Sequence, residues 1–205
     1  MKTTIITPST VLAVSVAEVK NYCRLDLDSS DEDTLIEMLI QTSMTRCVQE
    51  TGRALLTTTY KLTADLTVSG AENYPPLSTF TQQTSNKLKL SYPNFLSLTS
   101  VVATNAAGTN TTLSATDYKL NHTCVFSTIQ ILSAGDAESV AITYTAGYGA
   151  TAADIPTAIK QWILLDVSTL YENREAVTTG SMSSIMSSIP YPFVGGLLDA
   201  YRVQY

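Results

Sequence analysis

The chain has 205 residues, 44% of them hydrophobic and only 15% charged, with a formal net charge of −6. That is length for one domain, or one domain with a large insertion, and enough apolar material for a real core. An acidic chain does not grip phosphate backbones broadly, which argues against general nucleic-acid binding but allows a wall along which DNA slides without sticking.

The opening stretch, MKTTIITPSTVLAVSVA, has the lysine, apolar run and small residues of a secretory leader. Thr7, Pro8, Ser9 and Thr10 interrupt the run, and Ser15 with Glu18 forms an S-x-x-E capping box, the signature of a helix start. The alternative to an intracellular protein is therefore a secreted or periplasmic one with a cleaved leader. No apolar run approaches the roughly 20 residues needed to span a bilayer.

Residues 15–24 read as a short helix with Val16, Val19 and Cys23 on one face. Ser29 and Glu32 give a second capping box, with Asp31 and Asp33 suited to a first turn. Leu35, Ile36, Leu39, Ile40, Ser43 and Cys47 mark one face of a longer helix running to about Thr51, and Gly52 is placed to end it in the left-handed conformation.

The period then changes from about four to two. In ALLTTTYKL, Leu56, Thr58, Tyr60 and Leu62 fall on one side, and Thr57, Thr59 and Lys61 on the other. KLKLSY, LTSVVAT, CVFSTIQIL and VAITYTAGY predict further strands, with a turn at NAAGTNTT. The polar stretch around Pro75 and Pro76 predicts a long loop.

Three cysteines, Cys23, Cys47 and Cys124, are odd in number and widely spaced, so they suggest neither a disulfide framework nor zinc ligation and read as small buried groups. The one histidine, His122, stands near a strand end, which leaves no histidine-based triad or multi-histidine metal site to build.

Helix returns at Asp154, a capping residue, with Pro156 suited to the first turn. Ile155, Ile159, Trp162, Ile163, Leu164, Leu165, Val167 and Leu170 surround this helix with apolar groups, as a central helix requires. Asp166 interrupts them and needs a partner, solvent or a subunit contact. The helix closes on LYENREAV, whose Tyr171, Glu172, Asn173, Arg174 and Glu175 are able to form several directional bonds. Residues 178–190 are low in complexity, with too few apolar groups to pack. Phe193, Val194, Leu197, Leu198 and Tyr201 then form a short apolar stripe that requires a surface to dock on, either a partner's or the chain's own.

The expected architecture is α+β: a small helical bundle from residues 1–53 and 150–177, a β-rich insertion over 54–149, and a flexible linker with a docking segment over 178–205. No acid/base pair, nucleophile arrangement, metal cluster or phosphate loop is visible, so neither an enzyme nor a cofactor is expected.

Laid out in order, the motifs resemble the head–tail connector proteins of long-tailed bacteriophages, also called adaptor or head-completion proteins. The similarity is carried by SVAEVKNYCRLDLDSSDEDTLIEMLIQTS, ETGRALLTTTY, YTAGYGATAADIPTAIKQWILLDVSTLYENREAV and FVGGLLDAYRV. Asp166 and Thr169 depart from it, standing where an aliphatic residue and a histidine are expected. The resemblance implies a structural virion protein of the neck, assembled in the host cytoplasm. It implies a ring, usually twelve-fold, beneath the portal, which extends the DNA channel and docks the next neck or tail protein. On that reading Asp166, Tyr171, Glu172, Asn173 and Arg174 make the subunit contact. Phe193, Val194, Leu197, Leu198 and Tyr201 dock on the portal, and DNA passes without specific binding. Two plainer readings stand beside these: the polar cluster caps its own helix, and the C-terminal stripe folds back on its own bundle. The alternative function is a secreted or periplasmic binding module with the β-rich part as its ligand face.

Overall fold

A computed structural model of the chain describes residues 1–66, 87–123, 126–173 and 191–203, with only the backbone described over 191–194. It is mixed α+β, as expected, and divides into two compact units. Residues 1–8 and 57–147 form a β unit, and residues 9–56 and 148–205 a helical unit.

The helical unit begins with α1 (Val16–Cys23). Ser15 is its N-cap, and both halves of the capping box form: Glu18 N–H donates to Ser15 Oγ at 3.2 Å, and Ser15 N–H donates to the Glu18 carboxylate at 2.6 Å. Arg24 ends the helix in the left-handed region, φ 58°, unusual for a residue with a side chain. Helix α2 (Asp33–Thr51) ends, as the sequence predicts, on Gly52 at φ 67°. Its start differs. Glu32 is the N-cap and makes no side-chain capping bond, so the Ser29–Glu32 box does not form. The Ser29 carbonyl instead accepts from Lys20 Nζ, and Lys20 also pairs with Asp33 at 2.5 Å.

Two more helices complete the unit, α3 (Thr157–Glu172) and α4 (Tyr191–Asp199). Before α3, Asp154 does not cap the long helix. Its carboxylate caps the short 3-10 turn Ala152–Asp154, accepting from Thr151 N–H at 2.9 Å and Thr151 Oγ1 at 2.8 Å, and Pro156 becomes the N-cap of α3. Gly149 explains one glycine of the GYG motif: a Cβ there would lie 2.3 Å from the Asp154 side chain. The core of the unit is Val14, Val19, Ile36, Ile40, Cys47, Leu55, Leu56, Ile159, Ile163, Val167 and Leu198, drawn from all four helices and the segments between them. Apolar residues at helical spacing along α2 therefore mark its packed face, whereas α3, expected to be apolar all round, buries only Ile159, Trp162, Ile163 and Val167 and leaves Leu164, Leu165 and Leu170 partly exposed.

The β unit holds two antiparallel sheets. The larger contains β1 (Lys2–Thr7), β2 (Thr58–Asp65), β4 (Phe95–Asn105), β5 (Asn110–Thr112) and β8 (Ala137–Ala146), in the order β1-β2-β8-β4-β5. The smaller contains β3 (Lys87–Lys89), β6 (Tyr118–His122) and β7 (Ser127–Ile131), in the order β3-β7-β6. The period-2 pattern is exact in β2, where Thr58, Tyr60, Leu62 and Ala64 are buried and Lys61, Thr63 and Asp65 exposed. Tyr60, Leu62, Val101, Ile129, Ile131, Val140, Ile142 and Tyr144 fill its interior. Tyr60 stacks on Tyr144 at 5.7 Å between centroids, and Phe95 of β4 meets His122 of β6 at 5.5 Å. Burial pushes the Tyr144 hydroxyl up to about 12, so it stays protonated. His122 is thus bound in place, with its Nδ1 2.8 Å from Ser127 Oγ.

Strand β1 was not foreseen from the sequence. KTTIIT lacks clean alternation, and only its pairing with β2, Thr3 opposite Leu62 and Ile5 opposite Tyr60, makes it a strand. It moves residues 1–8 from the expected helical part into the β unit. Strands β5 and β6 also went unpredicted: β5 takes the last three residues of the stretch NAAGTNTT expected as a turn, and its polar residues are defined as a strand only by their pairing with β4. The long loop expected around Pro75 and the low-complexity stretch at 178–190 lie outside the described residues.

Candidate contact surfaces

The polar end of α3 is mostly tied into its own subunit. Asp166 Oδ1 lies 2.6 Å from Arg46 Nη1 of α2, and its side chain is only 10% exposed against 50% for Arg46. The second carboxylate oxygen is buried without a hydrogen-bond partner among the described residues. Asp166 therefore takes the first of its three possible fates, a partner, and that partner lies 120 residues away in sequence. The Tyr171 hydroxyl donates to the Glu32 carboxylate at the start of α2. Asn173 turns back on its helix, its backbone N–H donating to Thr169 O at 3.0 Å and its Nδ2 to the same carbonyl at 2.8 Å. Glu172 is exposed, and its charge adds to burial in raising the Cys23 thiol. Arg174 lies outside the described residues.

Arg46 and Glu32, the residues that engage Asp166 and Tyr171, were missed in the sequence. Arg46 was not singled out, and Glu32 was given to a capping box. The one available signal was the unexplained carboxylate of Asp166, which demanded a cation from some neighbouring helix.

The C-terminal segment sits on the helical unit. Leu198 is fully buried in its core, and Leu197 and Tyr201 pack against that core. Polar bonds fasten the end of the segment: Val203 N–H donates to Thr51 O at 2.9 Å, Arg53 Nε to Tyr201 O at 2.7 Å, and Arg202 pairs with Glu50 at 3.2 Å. The Tyr148 and Tyr201 rings meet edge to face at 6.4 Å. Leu198 is thus part of the subunit's own core, while Leu197 and Tyr201 are only partly buried against it. Phe193 and Val194 belong to α4, but their side chains are not described.

Chemistry is sparse. Among the described residues no group of three or more His, Cys, Asp or Glu is arranged to hold a metal ion, and no helix is long and apolar enough to cross a membrane. The Cys47 thiol is pushed up to about 12, mainly by burial and then by the charges of Asp166 and Glu50, which leaves it unreactive.

No family model matches the chain, and no curated protein matches it. Solved structures do. The chain is similar to one in the neck of an empty GTA particle computed with C6 symmetry, at 22% identity and a TM-score of 0.73, over 100% of this chain and 97% of that one. It is similar to a chain of the virion of the native gene transfer agent (GTA) particle at 21% identity and a TM-score of 0.73, with the same coverage. A chain in the neck of the native GTA particle computed with C12 symmetry follows at 19% identity and a TM-score of 0.72, again over 100% of this chain and 97% of that one. Likeness at such identities is a likeness of fold: over its whole length, helical unit and β unit together, this chain has the fold of chains built into those particles.

Proposed function

We propose that the protein is a structural component of the neck of a phage-like particle, where copies of it close into a ring, twelve-fold by analogy, that continues the DNA channel beneath the portal and receives the next neck or tail protein. The observation that carries this reading is the full-length match, at a TM-score of 0.73 and 97% coverage of the other chain, to a chain from a particle neck with rotational symmetry. A match confined to one unit would suit any protein that borrowed a common β module. Two units matched in one chain is a far narrower coincidence. The net charge of −6 agrees with a channel wall that DNA passes without sticking.

Ring contacts between identical subunits are heterologous and need directional groups to set the closing angle. Since Asp166, Tyr171 and Asn173 are engaged within the subunit, the contact at the end of α3 falls to Glu172, which is exposed, and to Arg174. Portal docking by the C-terminal segment does not use Leu198, which the subunit's own core consumes.

Electron microscopy of particles from the native source tests the whole reading. The expected result is a ring of this chain around the channel axis below the portal. A mature chain with its leader removed, found outside particles, would instead establish the secreted binding module. Within the ring reading, Arg174→Ala is expected to leave the melting temperature of the free subunit nearly unchanged and to lower incorporation into particles. Lower subunit stability with normal incorporation would return Arg174 to a capping role.

A further inference from the structure

Charge is divided unevenly between the two units. The helical unit holds thirteen of the 18 acidic side chains and seven of the 12 basic ones, so the net charge of −6 resides there and the β unit is neutral overall. Within the helical unit the acids crowd into one stretch. Residues 26–37 include Asp26, Asp28, Asp31, Glu32, Asp33 and Glu37, and no lysine or arginine. Two of these acids are used within the subunit: Asp33 pairs with Lys20, and Glu32 accepts from Tyr171. Asp26, Asp28, Asp31 and Glu37 are exposed, and none pairs with a cation among the described residues.

The β unit has the opposite feature. In the three-stranded sheet Gln130 of β7 stands between Lys87 of β3 and Lys119 of β6, and the next row on the same face holds Lys89, Thr128 and Asn121. The row between them, Leu88, Ile129 and Leu120, belongs to the other face, where Ile129 is fully buried. The three lysines are exposed and share the solvent face, and β3, β6 and β7 carry no acid. Lys87 and Lys119, each one strand from β7, are about 10 Å apart in the backbone, and neither pairs with an acid among the described residues. Most arginines of the helical unit are already engaged: Arg46 by Asp166, Arg53 by the Tyr201 carbonyl, Arg202 by Glu50 and Asp199.

We propose that the lysine face of the three-stranded sheet is a subunit contact, and that its occupant is the acidic stretch 26–37 of the next copy of this chain. The inference rests on the ring reading above. Identical copies with a net charge of −6 repel one another, most strongly where their acidic stretches come close. A head-to-tail contact joins two different surfaces of the same chain. Setting the acidic stretch against the lysine face turns that repulsion into attraction. One exposed ion pair contributes little, but several opposed at once, and repeated at every contact, fix which surfaces meet. Duplex DNA is the other polyanion that the lysines could face. It would leave the acidic stretch uncompensated in every copy, whereas the second copy neutralises both surfaces together.

The test is made in particles assembled with the full chain. Lys87→Glu together with Lys119→Glu is expected to leave the melting temperature of the free subunit unchanged, since both side chains are exposed, and to cut incorporation at least tenfold. Asp28→Lys together with Asp31→Lys is expected to do the same. A chain carrying all four changes is expected to recover most of the incorporation, because every contact then regains opposite charges. No recovery overturns the pairing. Normal incorporation of the lysine variant overturns it too, and weaker retention of duplex DNA by that variant would make the face a phosphate contact instead. In wild-type particles built from a mixture of isotopically light and heavy copies, carbodiimide coupling is expected to join Lys87 or Lys119 to a carboxylate of residues 26–37 in a copy of the other label, mapped by mass spectrometry. Coupling to a different particle protein, or to nothing, overturns the assignment, and this arm decides if a variant unfolds. Absence of the wild-type chain from the particle neck would instead remove the ring reading.

Discussion

At the scale of single residues, the sequence posed a question about a carboxylate in an apolar helix, and the answer lay on another helix. Asp166 is mostly buried, and Arg46 is half in solvent. Such a pair is asymmetric. Removing the arginine strands a shielded charge, whereas the gain from forming the pair is partly screened by water. Arg46→Ala is therefore expected to lower stability by about 1–2 kcal/mol in urea unfolding, and adding Asp166→Ala should recover part of that loss rather than double it. Additive losses would mean that the two side chains act independently. Sequence alone reveals that Asp166 needs a partner, because burial of an uncompensated charge is costly. It does not reveal Arg46, because nothing local encodes a contact between positions 120 residues apart.

At the scale of elements, local signals succeeded where they were complete. Ser15 with Glu18 and Gly52 each mark a helix boundary by bonds made within a few residues, and both boundaries stand where read. Ser29 with Glu32 has the same spelling as the first box and fails: the helix starts after Glu32, not after Ser29, and the Glu32 carboxylate accepts from Tyr171. The bonds from Ser15 hold the Glu18 carboxyl below its ordinary value of 4.5. A depressed carboxyl contributes stability above its unfolded value and loses it as pH falls through the folded one. Ser15→Ala is thus expected to cost about 1 kcal/mol near neutrality. The gap to the wild type should narrow below about pH 4.5, followed by thermal melts across pH. A second element-scale expectation concerns α4. Leu198→Ala is expected to cost about 3 kcal/mol, as for other fully buried leucines, with the C-terminal segment loosening in hydrogen exchange. A loss under 1 kcal/mol would mean that α4 is not part of the core. Strand β1 shows the opposite limit. Its residues are uninformative alone, and β2 supplies the register.

For the whole molecule, the changes between helical and strand periods foretold a mixed α+β chain, and that is what the structure has. The pairing of residues 1–8 with β2 could not be read from the sequence, since strand pairing across more than 50 residues leaves no local trace. The net acidity also belongs to this scale. Filter binding of duplex DNA at moderate salt is expected to show weak retention that is independent of sequence. Tight or sequence-dependent retention would be incompatible with a passive channel wall.

The bond from Val203 to Thr51 has a consequence in time as well as in space. The helical unit is written in two pieces, residues 9–56 and 148–205, with about ninety residues of the other unit between them. During synthesis α1 and α2 emerge before α3 and α4, the helices that complete their core, with residues 57–147 of the β unit in between. The β unit, complete by Gly147, is then able to fold ahead of the helices that precede it in the chain. A chain that lacks the segment around Leu198 leaves the apolar core of the helical unit uncovered, so the two pieces of the unit become stable only together.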